Sequence, residues 1–409
     1  MALNILMVAQ LFERPNDNGS DRNYYFCKHW IEAGNKVTVL TGNVDYKNAK
    51  KRFQKSGIHL EYIDGVKIIY VPVFTSFRGS TVKRFIFFVS FVCSVLYYLL
   101  KNARSTDIIY GISTPLTVPF ICSIVARLFK KDFVFEITDV WPDAAIHTGV
   151  VRNKMLIQMA LKMERFCYSS AAKIICLTNG IAEILRLQKG VEKKKLVVVT
   201  NGVDTSLFKK IAASQKNIWR EKLQIKDDFC AMYLGAHGKY NSLHTIVEAA
   251  VLTKENNKIT YLLVGDGDEK KKLQQYVLDN GLNNVKFWSS VPRTDAVEIL
   301  QLADCFILPN LKGKFFECNL PNKFFDYMAT GAPIIVCGDV EAGKIVDSHS
   351  IGITVQAENP AQLSGAILEM YGQHGCSNNK RSGRDLAFEK YNRLFGAQKI
   401  LDLFLELQK

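Results

Sequence analysis

The chain has 409 residues, with 48% hydrophobic and 22% charged residues, which excludes a disordered protein and suits two domains better than one core. Its net charge of +14 favours an anionic partner: nucleic acid, a phosphorylated small molecule or anionic lipid headgroups. The ten cysteines are scattered singly, without zinc-like or redox-like spacing, and favour reduced thiols in a cytosol over a disulfide framework.

The first half of the chain alternates short apolar strands with helical stretches. It begins with MALNILMVAQ, which has no basic leader and predicts a buried strand rather than a signal peptide. Because the predicted strands are almost continuously apolar, they suit a parallel sheet that is covered on both faces. They are Asn4–Ala9, Lys36–Thr41, Val66–Val71, Asp107–Gly111, Phe133–Ile137 and Lys173–Leu177.

Two loops of this half carry candidate site residues. After the first strand, Asn18 and Gly19 permit a tight turn before a helix whose free N–H groups suit an anion, although the spacing is not that of a dinucleotide fingerprint. At the end of the strand Phe133–Ile137, Asp139 is a polar residue at a carboxyl edge, where ligands of such sheets bind. Turn formation and local capping explain these residues equally well.

The segment Phe85–Leu100, FIFFVSFVCSVLYYLL, is more apolar than a surface helix needs to be. It is shorter than the roughly 20 residues of a membrane span. Two interpretations remain open: a helix buried against the first sheet, or a helix seated in one leaflet with Arg84 and Lys101 at its ends. In the second case the phenylalanines at 87, 88 and 91 are expected to insert into the lipid.

A second strand series follows a polar break near Thr200–Asn217. Two series predict an α/β protein with two doubly wound, Rossmann-like domains that face a cleft. We place the N-terminal domain at residues 1–195, the C-terminal domain at 196–380, and C-terminal helices that pack back toward the first domain at 381–409. The strands of the second series are Cys230–Leu234, Thr260–Val264, Val285–Trp288, Cys305–Pro309, Pro333–Val336 and Ile351–Val355.

The stretch LLVGDGDEKKKL presents Gly265 and Gly267 directly after a strand. Asp266 and Asp268 form an acidic pair of the kind that binds a divalent metal in one class of sugar transferases. We favour a turn in which Asp268 caps the following helix, and therefore expect no metal and no cofactor.

The stretch FFECNLPNKFFDYMATGAPIIV contains a proline placed to begin a helix, Pro321. The N–H groups of Asn322, Lys323 and Phe324 then point out of the first turn and form an anion cradle, to which the lysine adds charge. Asp326, one turn further, is placed for ribose hydroxyls, and Glu317 for the group beyond a diphosphate. The alternative is an ordinary capped helix with surface acids.

Four segments resemble, in order and spacing, the retaining glycosyltransferases of family four, which have the GT-B fold. These segments are VVVTNGVDTSLF, YLLVGDGDEKKKL, SSVPRTDAVEILQLADCFILP and NLPNKFFDYMATGAPIIV. Phe135–Gly149 and Tyr233–Ala250 resemble more narrowly bacterial O-antigen and capsule enzymes of the N-acetyl-L-fucosaminyltransferase type. The resemblance implies transfer of a sugar from a nucleotide-linked donor, UDP rather than GDP, to a polyprenyl-diphosphate-linked saccharide at the inner face of the cell membrane. It also implies that the domain at residues 1–195 binds the acceptor and the domain at 196–380 binds the donor.

The sequence departs from that family at several positions. The family has two acids separated by seven residues; Asp326 matches the second, but the first falls on Cys318, with Glu317 one residue early. The family's arginine and lysine after the first strand of the second domain are here Ala236 and Asn241. The resemblance then implies that the diphosphate charge is met by Lys239, His237, Lys323 or backbone amides.

In that family the acceptor attacks from the front face, and the leaving diphosphate helps to deprotonate it. The resemblance therefore implies that the rate enhancement comes mostly from electrostatic stabilisation of the transition state and that no metal is required. The resemblance assigns catalysis to Asp139, Glu317 and Lys323. A basic nucleic-acid-binding protein or a noncatalytic membrane-associated scaffold remains the alternative, although the basic residues are dispersed and no aromatic–basic motif is evident. The implied donor-binding residues are Asn18, Gly19, His237, Gly238, Lys239, Gly265, Pro292, Leu320, Pro321, Asn322 and Asp326.

Overall fold

The computed structural model describes residues 2–14, 17, 21–45, 50–55, 57–75, 81–147, 151–225, 228–313, 317–374 and 380–409. The strands are β1 Asn4–Val8, β2 Lys36–Gly42, β3 His59–Ile63, β4 Val66–Val71, β5 Ile108–Ile112, β6 Asp132–Ile137, β7 Lys173–Cys176, β8 Leu196–Val198, β9 Phe229–Leu234, β10 Ile259–Val264, β11 Val285–Trp288, β12 Cys305–Pro309, β13 Ile334–Cys337 and β14 Gly352–Val355.

The helices alternate with these strands, as a doubly wound fold requires. They are α1 Arg22–Glu32, α2 Thr81–Asn102, α3 Thr117–Phe129, α4 Asp143–His147, α5 Lys154–Ser170, α6 Asn179–Leu187, α7 Ala213–Lys222, α8 His244–Leu252, α9 Lys270–Asp279, α10 Arg293–Leu300, α11 Asn322–Thr330, α12 Glu341–His349, α13 Pro360–Gly372, α14 Lys380–Lys390 and α15 Arg393–Leu407.

The chain forms two compact units, one of Met1–Thr200 with Leu394–Lys409 and one of Asn201–Arg393. The first contains an eight-stranded sheet in the order β3-β4-β2-β1-β5-β6-β7-β8, parallel except for the β3–β4 pair. The second contains a six-stranded parallel sheet in the order β11-β10-β9-β12-β13-β14. The predicted fold class, two Rossmann-like α/β domains, is therefore confirmed.

The C-terminal helices divide between the units, which differs from the grouping of residues 381–409 predicted from the sequence. Helix α14 packs on α11 and places Leu386 and Ala387 in the core of the second unit. In contrast, α15 belongs to the first unit, where the buried Trp30 donates its indole N–H to Ala397 O at 2.9 Å and packs edge-on against Phe404.

Helix α2, which contains Phe85–Leu100, is neither fully buried nor free of the sheet. Phe87 and Phe91 on one side are 2% and 0% exposed, whereas Ile86 and Val89 on the other are both 42% exposed. The Phe74 N–H donates to Ser90 Oγ at 2.9 Å, which fixes the helix to the chain after β4. By length and composition, residues 86–105 also suffice to cross a membrane. The expectation that phenylalanines 87 and 91 insert into lipid is wrong, because both lie in the core of the protein.

Candidate functional site

The candidate donor site lies at the carboxyl edge of the second sheet, where β9 and β12 are neighbours. From β9 the chain proceeds outward to β10 and β11, and from β12 it proceeds to β13 and β14 on the opposite side. This is the topological switch point of the sheet, and ligands of open α/β sheets bind in the crevice that forms there. The loops after β9, β10 and β12 carry most of the residues that the sequence assigns to the donor.

The loops after β9 and β10 are held together by their backbones. The His237 N–H donates to Asp266 O at 2.9 Å, and the Glu269 N–H donates to His237 O at 3.0 Å. The approach is so close that a Cβ on Gly265 would lie 1.9 Å from Gly235 O, and one on Gly267 would lie 2.4 Å from His237 O. Glycine is therefore required at both positions, and Gly265 serves the site by allowing this contact.

The acidic pair after β10 stabilises the loop. Asp266 accepts hydrogen bonds from the Ser290 N–H at 2.8 Å and from Lys270 Nζ at 2.9 Å, which hold its pKa well below the usual range. Helix α9 has Glu269 as its N-cap, without a side-chain cap, so the predicted capping by Asp268 is wrong. Across the part of the chain that the structure describes, no group of three or more His, Cys, Asp or Glu residues is arranged to hold a metal ion. Metal independence stays a prediction.

Helix α11 begins after Pro321, which is its N-cap. The Phe324 N–H donates to Pro321 O at 3.0 Å and is therefore not available to the predicted anion cradle. Lys323, the second residue of the helix, turns back toward β9: its Nζ donates to Tyr233 Oη at 2.6 Å and to Asn241 Oδ1 at 2.9 Å. Lys323 therefore places its amine beside Asn241, the position at which the resembled family has a lysine.

His237 is completely buried, and among the residues that the structure describes neither of its ring nitrogens makes a hydrogen bond of normal geometry. Its ring lies 6.0 Å from that of Tyr233. Burial, with the nearby charge of Lys270, lowers the pKa of His237 to about 4. The imidazole is therefore neutral at neutral pH in the nucleotide-free protein, and a contribution of His237 to the charge around a bound diphosphate stays a prediction.

Asp326 already has a cationic partner. Both of its carboxylate oxygens accept hydrogen bonds from Arg293 at the start of α10, each at 2.7 Å. The planar guanidinium suits this two-point contact. Sequence reasoning missed Arg293, which lies directly after Pro292, the N-cap of α10. A contact of Asp326 with ribose hydroxyls requires that it share its oxygens with Arg293 or release them.

We expect Asp326→Ala to destabilise the nucleotide-free protein by about 1.5–3 kcal/mol, because its charge-assisted two-point contact with Arg293 is lost. Urea unfolding of this variant, of Arg293→Ala and of the double variant measures the coupling between the two residues. Additivity of the single changes within about 0.5 kcal/mol would show that the pair contributes nothing to stability.

Three groups are candidates for the role of the family's first acid, which aligns with Cys318 in this chain. Glu317 is exposed, whereas Cys318 is half-buried, and burial, with the neighbouring Glu341 and Glu317, raises the pKa of its thiol to about 11. The thiol is therefore neutral and does not replace a carboxylate. Glu341, which the sequence analysis did not single out, begins α12 and donates its N–H to Glu317 O at 2.9 Å. This places a second, mostly buried carboxylate beside the predicted position.

The remaining predicted donor-binding residues differ in how accessible they are to a ligand. Lys239 is exposed, and the space around the Cα of Gly238 is open, since a Cβ there would contact only Asn241 at 3.7 Å. Leu320 is a core residue with 6% exposure, so its side chain serves packing rather than a ligand. Asn18 and Gly19 lie outside the described residues.

The carboxyl edge of the first sheet carries Asp139. The residue as a whole is exposed, but the surrounding protein desolvates its carboxyl group and raises the pKa of Asp139 above the ordinary value. The preceding residue, Thr138, donates its N–H to Ser113 Oγ at 2.9 Å, which joins the loops after β5 and β6. Beneath them, Arg22 donates to Glu136 Oε1 at 2.6 Å in a fully buried pair. Sequence reasoning missed this pair, which fixes the start of α1 to β6.

Comparison with solved protein structures identifies the fold to which this chain belongs. The Anabaena protein Alr3699/HepE, solved in complex with UDP, superposes with a TM-score of 0.72 at 16% identity, over 99% of this chain and 100% of that chain. Two Rossmann-like units with parallel sheets and such structural neighbours define the GT-B fold of glycosyltransferases.

The family follows from the sequence. Residues 22–207 match the Glycosyltransferase Family 4 model, and residues 229–373 match the model of Glycosyl transferases group 1. The chain is therefore a glycosyltransferase whose N-terminal part is of the Family 4 type and whose C-terminal part is of the group 1 type.

Two curated relatives from Escherichia coli align over most of the chain. The putative colanic acid biosynthesis glycosyl transferase WcaI, from strain K12, is 22% identical over 378 residues, which cover 90% of this chain and 92% of that protein. The UDP-Gal:alpha-D-GlcNAc-diphosphoundecaprenol alpha-1,3-galactosyltransferase is 25% identical over 367 residues, or 87% of this chain and 88% of that protein.

Proposed function

We propose that this glycosyltransferase moves a sugar, with retention at the anomeric carbon, from a UDP-linked donor to a saccharide carried on polyprenyl diphosphate. The acceptor would be an intermediate of a bacterial surface polysaccharide such as an O-antigen or capsule, and N-acetyl-L-fucosamine is the donor sugar that the sequence resemblance favours. Two relatives, one of them named above, carry names that specify diphosphoundecaprenol-linked acceptors.

The observation that carries the donor side is the position of Lys323. Its amine lies at the N-terminal end of α11, beside the glycine loops after β9 and β10, at the switch point of the second sheet. A Cβ on Gly235 would lie 3.0 Å from Nζ, so glycine leaves the space in front of the amine open. A diphosphate fits this arrangement, because the N-terminus of a helix and a lysine both attract an anion and the glycine loops leave room for it. The same groups stabilise the negative charge that develops on the diphosphate as the sugar is transferred.

The acceptor side is proposed to include Asp139, which lies at the carboxyl edge of the first sheet, directly after β6 and Thr138. Glu317 is proposed to contact the donor sugar.

The test is a panel of UDP- and GDP-sugars with an undecaprenyl-diphosphate saccharide, run with excess chelator. Transfer with UDP-sugars in the presence of chelator supports the proposal. Absence of transfer with every donor, or activity that only manganese or magnesium restores, contradicts it.

We further propose that the enzyme is peripheral or monotopic on the cytoplasmic face of the membrane. Helix α3 packs against both α2 and α5, and the three helices contain seven lysines and arginines but one carboxylate, the buried Glu164. Large apolar side chains are exposed on each of them. Charge and apolar surface together suit anionic headgroups. The exposed apolar residues are Val82, Ile86, Val89, Tyr97 and Leu100 of α2, Ile124 and Leu128 of α3, and Met155, Leu156 and Met159 of α5.

We expect the wild-type protein to pellet with phosphatidylglycerol liposomes and to be only partly released by high salt, since the apolar contribution does not depend on charge. The triple variant Ile86→Ser, Val89→Ser and Leu100→Ser should stay in the supernatant and lose activity on lipid-linked acceptors. Transfer to a short-chain soluble acceptor should persist, because these side chains are outside the core.

The matched control places one serine on an exposed apolar position of the second unit, Leu278→Ser. This variant should pellet like the wild type. Pelleting of the triple variant, or a wild-type protein that stays in the supernatant at low salt, would exclude this surface as the membrane contact.

A further inference from the structure

Lys323 is a partly buried lysine without an anionic partner. Its Nζ contacts two neutral oxygens, those of Tyr233 and Asn241, and stands 4.4 Å from the centroid of the tyrosine ring. Among the residues that the structure describes, no carboxylate lies within ion-pair distance of this amine. A charged ammonium is therefore held by hydrogen bonds and a ring face alone.

The carboxylates on neighbouring elements already have cations of their own. Asp266, after β10, is bound to Lys270, and Asp326, on α11 itself, is bound to Arg293. They do not compensate a charge on Lys323.

The other groups that face Lys323 do not favour its charge either. Its own helix presents the positive end of its dipole. The Tyr233 hydroxyl is neutral because burial raises its pKa well above the usual value. His237 is neutral, because burial lowers its pKa to about 4. Burial accordingly lowers the pKa of Lys323 to about 7.

We propose that Lys323 takes up a proton from solvent when a nucleoside diphosphate binds, so that the cation of the diphosphate subsite forms together with the complex. The step converts the neutral amine and one solvent proton into an ammonium, and release of the diphosphate returns the proton. Two negative phosphates beside the amine favour its charged form, which the empty site disfavours. This inference rests on the proposed function, since it requires a nucleoside-diphosphate donor in the same site.

The coupling has a consequence for affinity. Above the pH at which Lys323 of the free enzyme loses its proton, each binding of a nucleoside diphosphate requires that the amine take up a proton from solvent. Donor affinity should therefore fall by up to about tenfold per pH unit as pH rises above 7.5, as long as the bound lysine stays charged. The permanently charged guanidinium of Lys323→Arg should bind without this dependence.

The experiment is calorimetric titration with UDP at pH 8, where the terminal phosphate is already ionised. Each titration is repeated in two buffers with different ionisation enthalpies, and the difference gives the number of protons exchanged. We expect uptake of roughly 0.5–0.9 proton per UDP bound by the wild type, since the free amine is mostly neutral at this pH. Lys271→Met, on the exposed surface of α9, should give the same value.

Lys323→Met should bind UDP more weakly and without proton uptake, and Lys323→Arg should bind without uptake at an affinity that is flat between pH 7.5 and 9. Proton exchange near zero in the wild type overturns the inference and leaves the proposed function intact. The same holds if Lys323→Met takes up as many protons as the wild type. Absence of UDP binding at every pH contradicts both the inference and the proposed function.

Discussion

Gly265→Ala is expected to lower the free energy of unfolding by about 3 kcal/mol or more and to remove donor binding. Gly265 has a φ of +144°, and a Cβ on it would lie 1.9 Å from Gly235 O. That oxygen cannot move aside easily, because the Gly235 N–H donates to Val264 O at 2.9 Å at the end of β10. The whole contact between the two loops must open. Urea unfolding followed by circular dichroism measures the loss.

The same substitution at Gly365 is the control. This glycine lies within α13, and no atom lies within 4 Å of an added Cβ. Alanine there should stabilise the protein by about 0.5–1 kcal/mol, because it lowers the entropy of the unfolded chain without a clash. If the two variants shift stability in the same direction, close approach at Gly265 is not the cause of its effect.

Phe91→Ala is the second substitution with a large expected effect. Phe91 is 0% exposed on the inner side of α2, and its ring covers Gly42 of β2. Removing the ring leaves a cavity between helix and sheet, and we expect a loss of about 3–5 kcal/mol in the free energy of unfolding.

Ile86→Ala on the same helix separates packing from helix propensity. Its side chain is 42% exposed, so the change should stay within about 0.5 kcal/mol. If Phe91→Ala also costs less than about 1 kcal/mol, then α2 is not docked on the sheet in solution, and the division of this helix into an inner and an outer side fails.

The twelve strands predicted from the sequence all occur, with ends shifted by one residue at most. They are found because most of them are almost unbroken apolar runs, which is a local property of a strand covered on both faces. The two strands that were missed differ from this pattern in different ways. β3, HLEYI, alternates partly buried with exposed residues at the edge of the sheet, whereas β8, LVV, is apolar but only three residues long.

A signal for β3 was present in the sequence. Asp64 and Gly65, between two β-forming runs, both have positive φ and form the tight turn of the β3–β4 hairpin. An Asp-Gly pair between such runs is a strong indication of this turn. The Thr200–Asn217 break was likewise informative, since the two units separate at Thr200 and Asn201.

The sequence indicates candidate site residues by their type, but it does not indicate which residues they contact. Lys323 was singled out for its place at the start of a helix, yet its contacts, Tyr233 and Asn241, are 90 and 82 residues away. Asp326 was singled out as a ligand-binding acid, and its pairing with Arg293 over 33 residues was not foreseen. Glu341 was not considered, because nothing in its local sequence indicates that α12 begins beside Glu317.

The sequence by itself determined twelve of the described strands, the two-unit α/β class and the loops that carry the candidate donor-binding residues, because hydrophobic periodicity and turn residues act over a few neighbours. Only the tertiary structure decided which face of α2 is buried, that Asp266 and Asp326 are paired with cations, and that Lys323 has no carboxylate partner among the described residues. These properties depend on side chains that the sheet order brings together from distant strands. Since burial and nearby charge set the pKa of a group, the state of Lys323 and His237 could be known only after that order was known.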